Sequence, residues 1–243
     1  MLNMRASGKL VVYLLFVLLM LFLCVSLSAQ NDKKATYDIL IDNTGSMRTQ
    51  FPEVLMLGEE IVDHIPEQSV ASIFNFKTEP SRKSPFAVIS PGVQSSPNKH
   101  LLKQYLSGLF IVPGQTTLLD AISSMARDLN IRAGHDSDSS TDKVVFVITD
   151  GEERASKIKE NQLIQELKDW NIKVYIFGMV KELESEGGLM GRSPKDKAVD
   201  LLGRIAKETG GRAVFSKSKK DDIHKLLNEM FEPNKLLQNK QPL

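Results

Sequence analysis

The segment that most constrains the fold is Val144 to Ile148, an unbroken apolar run that leads directly into Thr149 and Asp150. A continuous apolar run of this length is typical of a strand whose two faces are both buried. Tyr37 to Ile41 is a second short apolar strand, and it ends at Asp42. Strands buried on both faces occur in parallel sheets covered by helices on either side. The chain is therefore predicted to fold around such a sheet.

Helix-like and strand-like stretches alternate along the rest of the chain. Apolar residues recur at helical spacing in several segments, and the predicted helices cover about 54–65, 101–109, 118–129, 158–170, 198–205 and 223–231. Further strands are predicted at 70–76, 86–89, 173–177 and 212–215. Pro85 and Pro91 bracket the strand at 86–89, which suits an edge position. The predicted fold class is a doubly wound, mostly parallel α/β sheet flanked by helices, with one short antiparallel edge strand.

The first 29 residues have the composition of an export signal. Arg5 and Lys9 precede an almost purely apolar run from Leu10 to Leu27, and small residues follow it up to Ala29. A basic start, an apolar run and a small-residue end are typical of a secretory leader. We expect residues 1–29 to be a signal peptide or an N-terminal membrane anchor, with attachment through residues 10–27 in the second case. The expected location is secreted, periplasmic or anchored on the outer side of the cytoplasmic membrane.

The body of the chain contains no cysteine, because Cys24 lies within the leader. A disulfide-free exported domain needs a sizeable hydrophobic core. The chain has 31 basic and 30 acidic residues, and without Arg5 and Lys9 the balance is 29 to 30, a net charge of −1. This balance gives no indication of a nucleic-acid partner. With no internal repeat, a single domain is predicted over residues 35–232, followed by a polar tail at 233–243.

Oxygen-bearing side chains follow the two apolar strands, at the edge where parallel sheets bind ligands. Any one of them alone could be a helix cap. Together they offer two carboxylates and three hydroxyls, the all-oxygen set that a hard cation such as Mg²⁺ prefers. Gly45 is expected to relieve the tight turn that presents the first three oxygens. The predicted metal ligands are Asp42, Thr44, Ser46, Thr116 and Asp150.

Three motifs carry a family resemblance. Asp42-x-Thr44-x-Ser46, Gly114-x-Thr116 and Thr149-Asp150-Gly151 occur in this order along the chain. They resemble the metal-ion-dependent adhesion site (MIDAS) of von Willebrand factor A domains, and within that family the exported bacterial forms. The resemblance covers about residues 35–231. Gln115 replaces the second glycine of the family's threonine loop, and we expect it to narrow the approach to the metal.

The resemblance also implies roles for the individual residues. Asp42, Ser46 and Thr116 resemble direct or near-direct ligands, and Thr44 takes the place of a serine. Asp150 would bind the metal directly or through water. The implied metal is Mg²⁺, with Mn²⁺ and Ca²⁺ as alternatives.

Four further polar residues lie close to these motifs in the sequence, namely Gln115, Asp120, Glu152 and Glu153. Glu152 and Glu153 either add charge or partner contacts beside the metal or are solvated loop acids. Asp120 could orient a metal-bound water, cap a helix or pair with a surface lysine. Two polar loops, 134–141 and 182–194, are expected to select the partner.

The predicted function is metal-dependent binding of another protein, an adhesive rather than an enzymatic role. An Asp or Glu of the partner would complete the coordination of the metal. One alternative is an envelope assembly or structural factor in which the metal only stabilises the fold. The other is a metal-dependent hydrolase, which would need Glu152 or Glu153 as its general base.

Overall fold

The structure is a computed structural model, and it describes residues 35–76, 89–135, 141–186, 191–216 and 223–231. The strands are β1 (Ala35–Ile41), β2 (Val70–Phe76), β3 (Ile89–Ser96), β4 (Asp142–Thr149), β5 (Ile172–Gly178) and β6 (Ala213–Phe215). The α-helices are α1 (Phe51–His64), α2 (Lys99–Ser107), α3 (Leu118–His135), α4 (Glu160–Asp169), α5 (Pro194–Glu208) and α6 (Ile223–Phe231). Short 3₁₀ turns cover Gly45–Met47 and Val180–Glu182. The predicted leader and polar tail lie outside the described residues.

The strands form one sheet in the order β3-β2-β1-β4-β5-β6. β1 pairs in parallel with β2 and with β4, and β5 pairs in parallel with β4 and β6. β3 pairs antiparallel with β2 at one edge. The predicted, mostly parallel sheet with one antiparallel edge strand is confirmed. β1 and β4 are neighbours, so the chain segments that follow them start side by side.

Both faces of the sheet are covered, as the apolar strands predict. Ile39, Leu40 and Ile41 are all fully buried. Ile39 and Ile41 pack in the core layer formed with α1, α2 and α6. Leu40 points the other way, into the layer formed with α3, α4 and α5, because successive side chains of a strand alternate between its faces.

The edge strand differs from its prediction in extent. β3 begins at Ile89, and Pro91 lies inside it opposite Phe74 instead of after its end. Proline cannot donate to a strand ladder, but an edge strand has one unpaired side and tolerates it. The remaining predicted residues, 86–88, lie outside the described residues.

The helices and loops follow the predicted order with shifted boundaries. α3 continues to His135, so Gly134 belongs to a helix and not to the predicted polar loop, of which 136–140 lie outside the described residues. α5 ends at Glu208 and Gly210 has φ +76°, a left-handed conformation that glycine provides at helix ends. Among the described residues, no helix is long and apolar enough to cross a membrane.

Candidate metal centre

Asp42 follows β1 directly and is held in place by its neighbours. Its N–H donates to the carbonyl of Ile148 at 2.9 Å, which continues the ladder to β4. Its Oδ1 accepts from the N–H of Thr44 at 3.1 Å and from the Thr44 hydroxyl at 2.7 Å. Its Oδ2 accepts from the Thr149 hydroxyl at 2.6 Å. Three donors therefore fix the orientation of this carboxylate.

The Thr44 hydroxyl links the other predicted ligands to Asp42. Its Oγ1 lies 3.3 Å from the Ser46 Oγ and 3.2 Å from the Thr116 Oγ1. The Ser46 hydroxyl in turn hydrogen-bonds the carboxylate of Asp150. All five predicted ligands are thus joined in one hydrogen-bonded cluster beyond the ends of β1 and β4. We call this set the oxygen cluster.

The oxygen cluster is buried except at one point. Asp42, Thr44, Thr116 and Asp150 are at most 3% exposed. Ser46 is exposed, and so is Gln115, the residue before Thr116. The cluster therefore reaches solvent beside Ser46, and Gln115 is exposed next to Thr116; that it narrows the approach to a metal stays a prediction.

Burial perturbs both carboxyl groups of the cluster. It raises the pKa of Asp42, against the hydrogen bonds from Thr149 and Thr44, which lower it. Burial, and then the negative charge of Asp42, raise the pKa of Asp150 to about 6. Two carboxylates that repel one another in a buried place favour either a proton or a cation between them.

No cation from the described part of the chain meets this demand, since no ion pair there includes Asp42 or Asp150. Nor do three or more His, Cys, Asp or Glu side chains gather there into a group that could hold a metal ion. The available donors are two carboxylates and three hydroxyls, with no nitrogen or sulfur. This donor set fits a hard divalent cation such as Mg²⁺.

Thr149 belongs to this centre, although the sequence analysis assigned it no role. It is fully buried; its hydroxyl donates to Asp42 and accepts the N–H of Gly151 at 3.0 Å. Gly151 has φ +78°, and a Cβ there would lie 2.8 Å from the Leu202 Cδ1. The motif Thr149-Asp150-Gly151 therefore supplies a positioning hydroxyl and a left-handed turn after Asp150 that only glycine fits. Its place in the motif was the one available sequence signal.

Glu153 and Asp120 anchor a loop, and none of their hydrogen bonds among the described residues is to the oxygen cluster. Glu153 accepts hydrogen bonds from the N–H of Leu119 at 3.0 Å and from the Ser156 N–H and hydroxyl, both at 2.8 Å. Asp120 accepts from the N–H groups of residues 157 and 158 at 3.0 to 3.1 Å. They tie the loop after β4 to the start of α3, so Glu153 is not the solvated loop acid that was one alternative.

Glu152 lies closest in sequence to Asp150 and is also engaged. Its N–H donates to the Asp150 Oδ1 at 2.9 Å, and its carboxylate pairs with Arg154 at 2.6 Å. Glu152 and Glu153 are thus both engaged by other described residues. Glu152 instead adds negative charge that raises the pKa of Asp42 further.

Gly45 does not have the role expected from the sequence. Its φ is not positive, and a Cβ added there would find open space. The turn that presents Thr44 and Ser46 is a 3₁₀ turn of ordinary geometry, which most residue types can adopt. The oxygens converge because Asp42 accepts two hydrogen bonds from Thr44, not because of glycine's conformational freedom.

A family model described as the von Willebrand factor type A domain matches residues 39–229 of this chain. The match includes every residue of the oxygen cluster. No curated protein matches the sequence.

Solved structures of several proteins share the fold. An aerotolerance-related membrane protein from Bacteroides fragilis is 15% identical, with a TM-score of 0.57 over 82% of this chain and 97% of that one. BatB from Bacteroides thetaiotaomicron is 16% identical, with a TM-score of 0.56 over 84% and 99%. Proximal thread matrix protein 1 from the mussel byssus, solved with zinc in its MIDAS motif, is 15% identical, with a TM-score of 0.58 over 82% and 46%. At these identities the similarity concerns the fold.

Proposed function

The chain belongs to the von Willebrand factor type A domain family, and we propose that it binds another protein through a divalent metal held by the oxygen cluster. An Asp or Glu side chain of the partner would complete the coordination. Within the cluster, Asp42, Ser46 and Thr116 would contact the metal most directly. Thr44 and Asp150 would support it, Asp150 directly or through water. The proposal names Mg²⁺ first because the donors are all oxygens.

One observation carries this proposal. Asp42 and Asp150 are two buried carboxyl groups whose pKa values are raised by burial, that of Asp150 also by the charge of Asp42, and they have no cationic partner among the described residues. A buried, uncompensated charge is expensive to maintain. Three hydroxyls surround the pair, and solvent reaches it beside Ser46. A divalent cation would offset the charge and use the remaining oxygens as ligands.

When bound, the metal would supply an electrophilic position that a carboxylate oxygen of a partner can fill. The chain's own residues do the remaining work. Thr149 and Thr44 orient Asp42, the Ser46 hydroxyl holds Asp150, and burial limits the access of water to the side beside Ser46. Gln115, exposed beside Thr116, borders the opening by which a partner side chain would enter.

Metal binding is tested by calorimetric titration of the chelator-treated protein with MgCl₂ and MnCl₂. The substitutions Asp42→Asn and Thr116→Val remove one oxygen ligand each with little change in shape, and we expect both to abolish or strongly weaken binding. Thr117→Val is the matched control, because this half-buried neighbour is not part of the oxygen cluster. Unchanged titrations for Asp42→Asn and Thr116→Val would refute the metal site.

Partner binding is tested with a displayed library of random peptides, captured on the immobilised protein in Mg²⁺ and eluted with EDTA. We expect the eluted peptides to be enriched in Asp or Glu, and the enrichment to disappear with Asp42→Asn. If wild type and Asp42→Asn recover the same peptides, carboxylate recognition at this site is wrong.

The burial of four of the five cluster residues also favours the second candidate, in which the metal only stabilises the fold. Thermal unfolding with and without Mg²⁺, combined with the peptide selection, separates the two. A large rise in melting temperature with no Mg²⁺-dependent capture of acidic peptides would identify a structural metal.

We also propose that the domain acts outside the cytoplasm, on the basis of the leader-like residues 1–29. Expression of the full chain in a bacterium, followed by fractionation and mass measurement, would give the location and any cleavage point. Deleting residues 1–29 should leave the protein in the cytoplasm, and export of the deleted form would contradict the proposal.

A further inference from the structure

One exposed aromatic side chain, Phe110, lies in the segment that leads to Thr116 of the oxygen cluster. Phe110 is 71% exposed, more than the other large apolar side chains on the described surface, Met56, Leu101 and Ile131. Those three stand on helices α1, α2 and α3, whereas Phe110 lies in the segment 108–117 that leads to Thr116. A single exposed apolar residue does not by itself indicate a binding surface. Whether Phe110 has a binding role therefore depends on its position and on how its backbone is anchored.

The backbone at Phe110 is fixed to the residue that follows Asp42. Asn43 is 1% exposed, and its Nδ2 donates to the carbonyl of Phe110 at 3.0 Å. The N–H of Val112 donates to the Asn43 carbonyl at 2.8 Å. The Asn43 Oδ1 accepts from the N–H of Phe76 at the end of β2, at 3.0 Å. The exposure of the Phe110 ring is therefore a property of an anchored backbone and not of a loose loop.

The topology places the Phe110 segment on one side of the oxygen cluster. Its anchor Asn43 also binds the end of β2, and β2 adjoins β1 on the side away from β4. On the other side, the loop after β4 and the first turns of α5 line a groove of about 200 Å³ that includes Arg154 and Lys197. The exposed Phe110 is thus anchored on the β2 side of the oxygen cluster, and a groove with charged side chains lies on its β5 side.

We propose that Phe110 determines specificity, selecting partner segments in which a large apolar residue lies within two positions of the metal-binding Asp or Glu. The proposal rests on the proposed function, because the acid that enters the centre sets where the rest of the segment lies. In an extended segment, side chains two apart point to the same face. An apolar neighbour of the acid can then cover the Phe110 ring while the acid enters beside Ser46.

The anchored backbone makes this contact effective. Because the backbone at Phe110 is already fixed, covering its ring costs little conformational entropy. The free energy gained by burying its apolar surface is therefore offset only slightly. Covering a mostly exposed Phe with a Leu-sized side chain corresponds to about a tenfold gain in affinity.

The test uses the whole domain and synthetic peptides. The host peptide is Ac-Ser-Ser-Glu-Ser-Ser-NH₂, and its variants carry one Leu in place of each flanking Ser in turn. Dissociation constants are measured by NMR titration in MgCl₂ and in EDTA, which detects weak binding. We expect at least one Leu peptide to bind about tenfold tighter than the host. Phe110→Ser should remove this preference and leave the host affinity unchanged.

Ile131→Ser is the matched control, because Ile131 is 56% exposed and lies near the far end of α3. It should leave the Leu preference intact. A host peptide that binds in Mg²⁺ without any Leu preference, or a preference that survives Phe110→Ser, overturns the role of Phe110 alone. A host peptide that does not bind, or binds equally in EDTA, overturns the proposed function and this inference with it.

Discussion

Asp38 and Asp42, two aspartates four positions apart, lie in opposite electrostatic surroundings. Asp38 lies within β1 and Asp42 follows it, and both are fully buried on the same side of the sheet. Arg132 of α3 binds both oxygens of Asp38, with its Nη2 at 2.9 Å from Oδ1 and 2.7 Å from Oδ2. Among the described residues, Asp42 accepts hydrogen bonds from Thr44 and Thr149 only, and none of these donors carries charge.

This difference shows which of the two buried carboxylates has its counter-charge within the chain. Burial raises the pKa of both groups, that of Asp38 to about 7 against the lowering effect of Arg132. The chain supplies Asp38 with a cation, and Arg132 is itself held by Asp128 at 2.7 Å. Asp42 has a second carboxyl group, Asp150, where Asp38 has a guanidinium. The charge of the first pair is balanced internally, and the second pair has no cation among the described residues, which is where the proposed metal would bind.

The largest effect is expected from removing the guanidinium of Arg132, the cation that the chain supplies to Asp38. Arg132→Met leaves Asp38 buried without its partner, and we expect the free energy of unfolding to fall by about 3 kcal/mol at about pH 8. Urea unfolding measures this loss. Arg127→Met, at an exposed position of the same helix, should change stability by less than about 0.5 kcal/mol. Equal effects of the two substitutions would show that the Asp38–Arg132 pair contributes no more to stability than the exposed Arg127 does.

The second test supplies the external cation and then removes its site. At a Mg²⁺ concentration of about 100 times Kd, the free energy of unfolding of the wild type should rise by about 2.7 kcal/mol over its value in EDTA. Asp42→Asn should lose this increment, whereas Asp38→Asn should keep it. The comparison fails if Asp38→Asn abolishes the Mg²⁺ effect as fully as Asp42→Asn does.

A smaller effect is expected from removing the Thr149 hydroxyl, which orients Asp42. Thr149→Val keeps the shape and removes the donor 2.6 Å from the Asp42 Oδ2. Groups that orient metal ligands affect metal affinity by about tenfold or more, and we expect a tenfold weaker Kd for Mg²⁺ in calorimetry. The metal-free variant should also lose about 1 kcal/mol or more of stability, because the Asp42 Oδ2 and the Gly151 N–H both lose a buried partner. An unaltered Kd would mean that Thr149 does not position Asp42.

The smallest expected effect is a pH dependence that belongs to Asp38. Because its pKa in the folded protein is about 7, well above the value near 3.9 of an unfolded Asp, the folded state binds more protons between these values. Stability is then greatest at low pH and is lost as the pH rises to about 7. In EDTA, the free energy of unfolding should fall by about 1 kcal/mol more between about pH 6 and 8 in the wild type than in Asp38→Asn. Parallel profiles would contradict the raised pKa.

The sequence predicts the sheet and the gathering of the five cluster residues because both depend on local patterns. Apolar runs such as Val144 to Ile148 indicate strands buried on both faces. In a parallel sheet, the ends of adjacent strands meet at one edge. Asp42 and Asp150 therefore had to lie near one another once β1 and β4 were neighbours, and the structure places them so.

What the sequence does not predict are pairings between distant side chains. Arg132 and Asp38 are 94 positions apart, and nothing in the local pattern says which basic residue reaches a buried Asp. Glu153 looked like one more loop acid, but it binds the N–H of Leu119, 34 positions away. Phe110 belongs to an irregular segment whose course depends on Asn43. Such contacts follow from tertiary geometry, which periodicity does not encode.

The span of the oxygen cluster along the chain has a consequence for how the protein folds. Thr44 meets Thr116 across 72 positions, and Asp42 meets Thr149 across 107. Closing such long loops is slow, and contacts of this kind form late. We therefore expect a partly folded chain to lack the assembled site, so that a metal ion would not act as the nucleus of folding. An ion that binds only the finished domain would slow the rate of unfolding and leave the rate of folding nearly unchanged.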